Sequence, residues 1–88
     1  MDAYEDVRKE RARQDRIHGG MRNDDLNTQF HWASFIVNKL GVAIQWPLDK
    51  NVFRRRMIQV AALAIAAVEA LDRGAVSDGW QSNRDRGI

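Results

Sequence analysis

The strongest constraint on the fold is the segment Phe53–Arg73, which reads FRRRMIQVAALAIAAVEALDR. After three arginines, the stretch Met57–Val68 is apolar except for Gln59, and an acidic ExxD pair follows it. This stretch is too short to cross a bilayer, which takes about 20 apolar residues. Its many alanines predict instead a helix that other helices approach closely. We therefore expect no membrane partner.

This helix has two apolar faces when its residues are placed at 100° intervals. One face holds Arg54, Ile58, Ala62, Ile65, Glu69 and Asp72, and a roughly opposite face holds Phe53, Val60, Ala64, Ala67 and Leu71. A helix with two such faces is typical of the centre of a bundle or of a subunit interface. We predict a homo-oligomer, at least a dimer, formed through the alanine-rich helix.

Length and composition limit the class of protein. Eighty-eight residues make one small domain, and a chain of this size hides only about 60–65% of its unfolded surface, so oligomerisation is a common supplement. The sequence has no cysteine, which excludes disulfides and thiolate zinc sites. The N-terminal residues are charged and show no signal peptide, so we expect a cytoplasmic protein, in the host cytoplasm if the gene is a phage gene.

Charge is unevenly distributed along the chain. The formal net charge of +2 is too small to indicate a nucleic-acid partner. Residues 1–25 contain six basic and seven acidic side chains, whereas residues 26–73 contain six basic and three acidic ones. The middle of the chain is therefore either a solvated mixed-charge surface or a patch that attracts phosphate.

Helix signals predict an all-α fold, a three-helix antiparallel bundle. The expected helices are residues 2–18, ended by Gly19-Gly20; residues 28–40, ended by Gly41; and residues 51–73, ended by Gly74. Pro47 favours a break before the third helix. Residues 1–73 are predicted to form one helical domain, and residues 74–88 a flexible tail.

Several of these features occur together, in one order, in a known family. They are ERARQD at residues 10–15, the Gly19-Gly20 pair, the Asp24-Asp25 pair, Trp32 near the start of the second helix, and the segment Phe53–Arg73. In this respect the chain, over about residues 5–73, resembles the "MazG-like" family of small phage and bacterial proteins. The resemblance implies an all-α fold and Mg²⁺-dependent hydrolysis of nucleoside triphosphates to the monophosphate and pyrophosphate.

The resemblance also implies a set of metal ligands. Such hydrolases hold Mg²⁺ with two acidic pairs on antiparallel helices, and the metal activates water. Glu69 and Asp72 match the second pair. The first pair is missing, because residues 28–48 contain no Asp or Glu. Glu10, or Asp24 with Asp25, would have to replace it. Under this hypothesis Glu10, Glu69 and Asp72 bind magnesium.

Candidate ligand-binding residues lie along the first two helices and at the start of the third. Guanidinium groups suit phosphate, so Arg11 or Arg13 together with Gln14 could hold a phosphate or a base. The full candidate set is Arg11, Arg13, Gln14, Asp24, Asp25, Trp32 and Arg54. Structural alternatives stay open: the aspartates can cap a helix, Trp32 can be core, and the carboxylates of the third helix can pair with arginines.

Three hypotheses for function follow. The first is a helical oligomer that binds a nucleotide or another phosphate-bearing ligand without turnover, sequestering a host-defence nucleotide signal if the gene is a phage gene. The second is the Mg²⁺-dependent pyrophosphohydrolase. The third is an inhibitor that binds a host protein through aromatic anchors, namely Trp32, Phe35, Trp46 and Trp80. Missing catalytic carboxylates place the binding module first and the enzyme second.

Overall fold

The computed structural model describes residues 2–20 and 24–74. These residues form three α-helices and no strand: α1 (Ala3–His18), α2 (Gln29–Ala43) and α3 (Lys50–Asp72). The predicted all-helical fold with three helices is therefore confirmed. The predicted tail, apart from Gly74, lies outside the described residues, and so does Trp80.

Local capping fixes both ends of α1. The Asp2 carboxylate accepts hydrogen bonds from the backbone N–H groups of Tyr4 and Glu5, which have no partner within the helix. At the other end Gly19 takes the left-handed conformation, with φ of 88°, and its N–H donates to the carbonyl of Asp15. Only glycine adopts this geometry readily, so the predicted stop at Gly19 is confirmed.

The second helix starts as predicted and ends later. Thr28 and His31 form a capping box, each accepting a hydrogen bond from the other's backbone N–H. The predicted end at Gly41 is wrong, because α2 continues to Ala43. Ala43 is buried, and tertiary packing of this last turn outweighs the low helix propensity of glycine.

A short connection with an exposed apolar surface leads into α3. It contains the cis peptide bond between Trp46 and Pro47. Asp49 then caps α3 by accepting from the backbone N–H groups of Asn51 and Val52, at 2.7 and 3.2 Å. Asp49 is therefore the N-cap of α3.

The central element is α3, against which α1 and α2 both pack. Trp32, near the start of α2, packs with Ala66 and Ala70 near the end of α3, so these two helices run antiparallel. Leu63 and Ala67 pack against the same cluster. Trp32 is 4% exposed and is the largest buried side chain of the described residues. Small side chains on α3 let the indole approach the helix closely.

The first helix is attached differently. None of the residues of α1, all of which are described, is buried. Asp6 pairs with Arg54 early in α3, and Arg11 pairs with Glu69 late in α3, so α1 runs parallel to α3. In the described part of the chain, α1 and α2 do not pack closely on each other. A gap is left between them above α3.

The two apolar faces of α3 have different environments. The buried face consists of Gln59, Ala62, Ala66 and Ala70. On the opposite face Phe53 and Leu71 are about half exposed. Ala67 was predicted on that face, but it packs against the Trp32 cluster because it lies at the boundary between the faces. No helix within residues 2–20 and 24–74 combines the length and apolarity that a membrane crossing needs.

The packing predicts a large cost for truncating the buried indole. Trp32→Ala should lower the free energy of unfolding by about 3–5 kcal/mol, because it removes the largest apolar contact between α2 and α3. Tyr4→Ala is the matched control, since Tyr4 is 88% exposed, and its effect should stay within about 0.5 kcal/mol. Urea unfolding at one fixed protein concentration measures both. Equal effects of the two substitutions would contradict the described core.

Candidate functional site

The gap between α1 and α2 is a cleft of about 510 Å³ with α3 as its floor. The two walls and the floor differ in the chemistry of their side chains. The α1 wall is mostly charged, the α2 wall combines two aromatic rings with an amide and a lysine, and the floor combines apolar side chains with an arginine and a glutamine. Ligand pockets typically have volumes of about 300–1,000 Å³, so the cleft has room for a small molecule.

The α1 wall brings together four residues singled out from the sequence. They are Glu10, Arg11, Arg13 and Gln14. The Glu10 carboxylate accepts hydrogen bonds from Arg13 at 3.0 Å and from Gln14 at 3.1 Å. The spacing i, i+3 and i+4 places these groups on one side of a helix. Within this wall, Arg13 and Gln14 are therefore already bonded to Glu10.

Arg11 connects three elements at one end of the cleft. Its guanidinium donates to Glu69 on α3 and lies 3.6 Å from the carboxylate of Asp15 on its own helix. It also lies 4.0 Å from Asp24, in the turn before α2. Three carboxylates thus surround one arginine, which fixes the position of α1 relative to α3. The expectation that Glu69 could pair with an arginine of the first helix is confirmed.

Asp24 is a carboxyl group of the cleft whose surroundings shift its pKa. Burial raises its pKa above the ordinary value of 3.8, and the negative charge of Asp15 raises it further. Arg11 and Arg73 act in the opposite direction and do not cancel these effects. The turn therefore holds a carboxyl group that protonates more readily than an exposed aspartate does.

The α2 wall and the α3 floor supply residues that the sequence did not single out as ligand contacts. On α2 these include Asn38 and Lys39, next to Phe35 and the predicted Trp32; on α3 they are Arg56, Gln59, Leu63 and Ala66. Arg56 donates a hydrogen bond to the Gln59 side chain at 2.8 Å. The available signal was the spacing of residues 56, 59, 63 and 66, which marks one helix face.

Two buried N–H groups of the cleft residues lack a hydrogen-bond partner. They are Nε1 of Trp32 and Nε of Arg56, and no acceptor in the described residues reaches either one. Most buried donors in proteins are paired, so an unpaired one calls for an explanation. Both belong to side chains that line the same cleft.

Two predicted ligand residues lie outside the cleft. Arg54 donates to Asp6 at 2.7 Å, beside a shallower groove between α1 and α3. Asp25 accepts from Arg73 at 2.6 Å, and this hydrogen bond raises the pKa of Arg73. The structure thus brings Arg11, Arg13, Gln14, Asp24 and Trp32 together and separates Arg54 and Asp25 from them.

The carboxylates do not form the magnesium site that the resemblance implied. Among the described residues, no three His, Cys, Asp or Glu side chains lie close enough to share an ion. Glu69 is bonded to Arg11, and Glu10 is bonded to Arg13 and Gln14. Magnesium needs several oxygen ligands free to coordinate it. The set Glu10, Glu69 and Asp72 therefore does not fit the metal in this arrangement.

Comparison with family models, curated proteins and solved structures finds no match to this chain. The MazG-like resemblance accordingly stays a prediction from the sequence.

The environment of Asp24 predicts a pH-dependent stability difference. A raised pKa means that the folded state binds the proton more tightly than the unfolded chain, so ionised Asp24 weakens the fold above the raised value. Asp24→Asn should therefore raise the thermal midpoint at pH 7, and the gain should shrink as the pH falls toward 3.8. Thermal unfolding followed by circular dichroism between pH 3.5 and pH 8 measures this.

The matched control for this experiment is Asp72→Asn. Asp72 is exposed and has no ion pair among the described residues, so its substitution should leave the profile close to that of the unmodified protein. If Asp24→Asn instead lowers the midpoint at every pH, the attraction of Arg11 outweighs burial and ionised Asp24 stabilises the fold.

Proposed function

We propose that the cleft binds a nucleotide or a similar phosphate-bearing small molecule and holds it without hydrolysis. The observation that carries the proposal is the lining of the cleft, where Arg11, Arg13, Lys39 and Arg56 occur with an aromatic wall. Cationic side chains suit phosphate, and an aromatic ring offers a surface for a base. Phe35 is the exposed ring of this wall.

Amide side chains add the polar groups that a base needs. Gln14, Asn27, Asn38 and Gln59 all line the cleft. Each amide carries both donors and acceptors, so it can pair with the edge of a purine or pyrimidine. Pockets that recognise small molecules typically combine apolar walls with a few polar groups of this kind. The composition of the cleft supports a nucleotide better than it supports a purely apolar ligand.

Binding without turnover is supported by the state of the carboxylates. In the cleft Glu10 is bonded to Arg13, while Asp24 and Asp15 both lie near Arg11. A protein that binds and does not convert its ligand lowers the free ligand concentration. The resemblance to phage and bacterial proteins is what suggests a host-defence nucleotide signal as that ligand.

The test is incubation of the protein with Mg²⁺ and a nucleotide panel that includes cyclic dinucleotides. The free ligand is assayed after ultrafiltration, and the bound ligand is assayed after denaturation. We expect depletion of at least one nucleotide and its intact recovery. Conversion to products would instead support the pyrophosphohydrolase, and unchanged ligand in both fractions would contradict a nucleotide-binding site.

A paired substitution locates the binding in the cleft. Asn38→Trp should weaken binding at least tenfold, because Asn38 is exposed on the cleft wall and the larger side chain occupies the ligand volume. Gln45→Trp makes the same change at an exposed position outside the cleft and should leave binding within about twofold. Equal loss in both variants would place the ligand elsewhere.

The connection between α2 and α3 favours protein binding as a second candidate function. Ile44, Trp46 and Leu48 are exposed there, with Trp46 at 86%. Tryptophan is enriched among the residues that dominate protein interfaces. If the nucleotide panel stays unchanged, capture of a host protein by the unmodified chain and its loss in Trp46→Ala would support this candidate.

We propose in addition that a second copy of the chain covers the uncovered face of α3. This face contains Phe53, Val60, Ala64, Val68 and Leu71. None of them is charged, so two copies can bring the same face together around a two-fold axis without repulsion. Val37 on α2 and Ile44 just after it are also exposed, and neither lines the cleft.

The size of this surface is sufficient for a dimer. Two packed helices of this length present on the order of 600 Å², given a rise of about 1.5 Å per residue and a spacing of about 9 Å. Stable interfaces bury about 600–1,000 Å² per partner. Ala64 at its centre lets two copies of α3 approach closely.

Charge introduced into this face should disrupt the dimer. Val68 and Leu71 are 56% and 52% exposed, so glutamate is tolerated there in a single copy but is desolvated when two copies meet. Val68→Glu with Leu71→Glu should raise the dimer dissociation constant at least tenfold in sedimentation analysis. Leu26→Glu, at an exposed position in the turn before α2, is the control. A monomeric unmodified protein at 100 µM would contradict the dimer.

A further inference from the structure

The cations of the cleft fall into two groups. Arg11 and Arg13 both form ion pairs with carboxylates. Lys39 and Arg56 have no carboxylate within ion-pair distance in the described residues. A phosphate that approaches Arg11 or Arg13 has to compete with the carboxylate that is already paired with it. At Lys39 and Arg56 it meets positive charge that no side chain has neutralised.

These two cations lie toward the same end of the cleft. Trp32 packs at the level of Ala66 and Ala70 on α3. Lys39 follows Trp32 by two helical turns, or about 10 Å along an antiparallel helix. This places Lys39 between the levels of Gln59 and Leu63, one to two turns from Arg56. Their positions are thus suited to contact one small group together.

The buried N–H groups point to the same kind of ligand. Nε of Arg56 is buried with no acceptor among the described residues, although another nitrogen of the same guanidinium donates to Gln59. Nε1 of Trp32, in a residue that is 4% exposed, is also buried and finds no acceptor in the described part of the chain. Both groups are donors, so the partner that would satisfy them is an acceptor. A phosphate oxygen is an acceptor and carries the charge that Lys39 and Arg56 attract.

The positions of the carboxylates in the cleft agree with a phosphate at Lys39 and Arg56, because carboxylates repel an anion. The carboxylates of the lining, Glu10, Asp15 and Asp24, come from α1 and from the turn before α2. None comes from the parts of α2 and α3 that line the cleft. An anion is therefore held best against the α2–α3 side, away from the α1 wall.

We infer that the α2–α3 side of the cleft is a phosphate subsite formed by Lys39 and Arg56, with the Trp32 indole N–H as an additional donor. Of the two arginines that the sequence suggested for this role, Arg11 pairs instead with Glu69 of α3, and Arg13 pairs with Glu10 on its own helix. The inference rests on the proposed function, since it assumes that the cleft takes a ligand. It goes beyond that function by naming the residues that contact the phosphate.

The probe for this subsite is inorganic pyrophosphate, titrated at constant ionic strength. The chain has three tryptophans, and Trp32→Phe identifies the Trp32 indole signal in a ¹H–¹⁵N spectrum by its loss. We expect that signal to shift saturably with pyrophosphate. A Trp32 signal that stays unmoved while pyrophosphate binds would overturn the role of the indole.

Three single substitutions, each removing one positive charge, test the cations. Lys39→Gln and Arg56→Gln should each weaken pyrophosphate binding about 10- to 100-fold, the usual loss for a charge-assisted hydrogen bond. Arg55→Gln is the matched control, because Arg55 is adjacent but lines the other groove, and its effect should stay below about threefold. Equal loss in all three variants would show general attraction to basic surface and overturn the subsite.

The outcome separates this inference from the proposed function. If a nucleotide binds and Asn38→Trp blocks it, but only Arg11→Gln and Arg13→Gln weaken it, the cleft is a ligand site and the subsite assignment is wrong. If pyrophosphate requires Lys39 and Arg56 while no nucleotide binds, the subsite stands and the proposed nucleotide function fails. Lys39 is only partly buried, so its variant stays informative if Arg56→Gln does not fold.

Discussion

The contact of Trp32 with the alanine face of α3 determines the shape of the molecule. Ala66 and Ala70 are small enough for the indole to be almost fully buried between α2 and α3. No equivalent residue exists on α1, none of whose side chains is buried. One flank of α3 is therefore closed by apolar packing, while the other is held by polar contacts. The cleft exists because these two attachments leave α1 and α2 apart.

This asymmetry also distributes the stability unevenly. The links from α1 to α3 include the ion pair of Arg54 with Asp6 and that of Arg11 with Glu69, and both are partly exposed. Such pairs contribute about 0–1 kcal/mol each. Of the three helices, α1 is thus the most weakly held. A ligand that contacts both walls stabilises the position of α1 through its own binding energy.

The sequence was sufficient to predict the local structure and insufficient to predict which side chains pair with each other. The caps at Asp2, Thr28 and Asp49 depend on neighbouring residues, so the helix starts could be predicted within one residue. The end of α2 could not, because burial of Ala43 is a tertiary property that neighbouring residues do not determine. Likewise, the run of three arginines on α3 spreads around the helix, and only the fold shows that Arg56 reaches the cleft while Arg54 pairs with Asp6.

The pairing of carboxylates with arginines affects both hydrolysis and binding. A carboxylate that already pairs with a guanidinium attracts a metal less strongly, because the arginine offsets part of its negative charge. Glu10 and Glu69 are both in this position. A phosphate bound at Lys39 and Arg56 meets no such offset, because these cations have no carboxylate partner in the described residues. The charge arrangement therefore favours holding a phosphate over activating water against it.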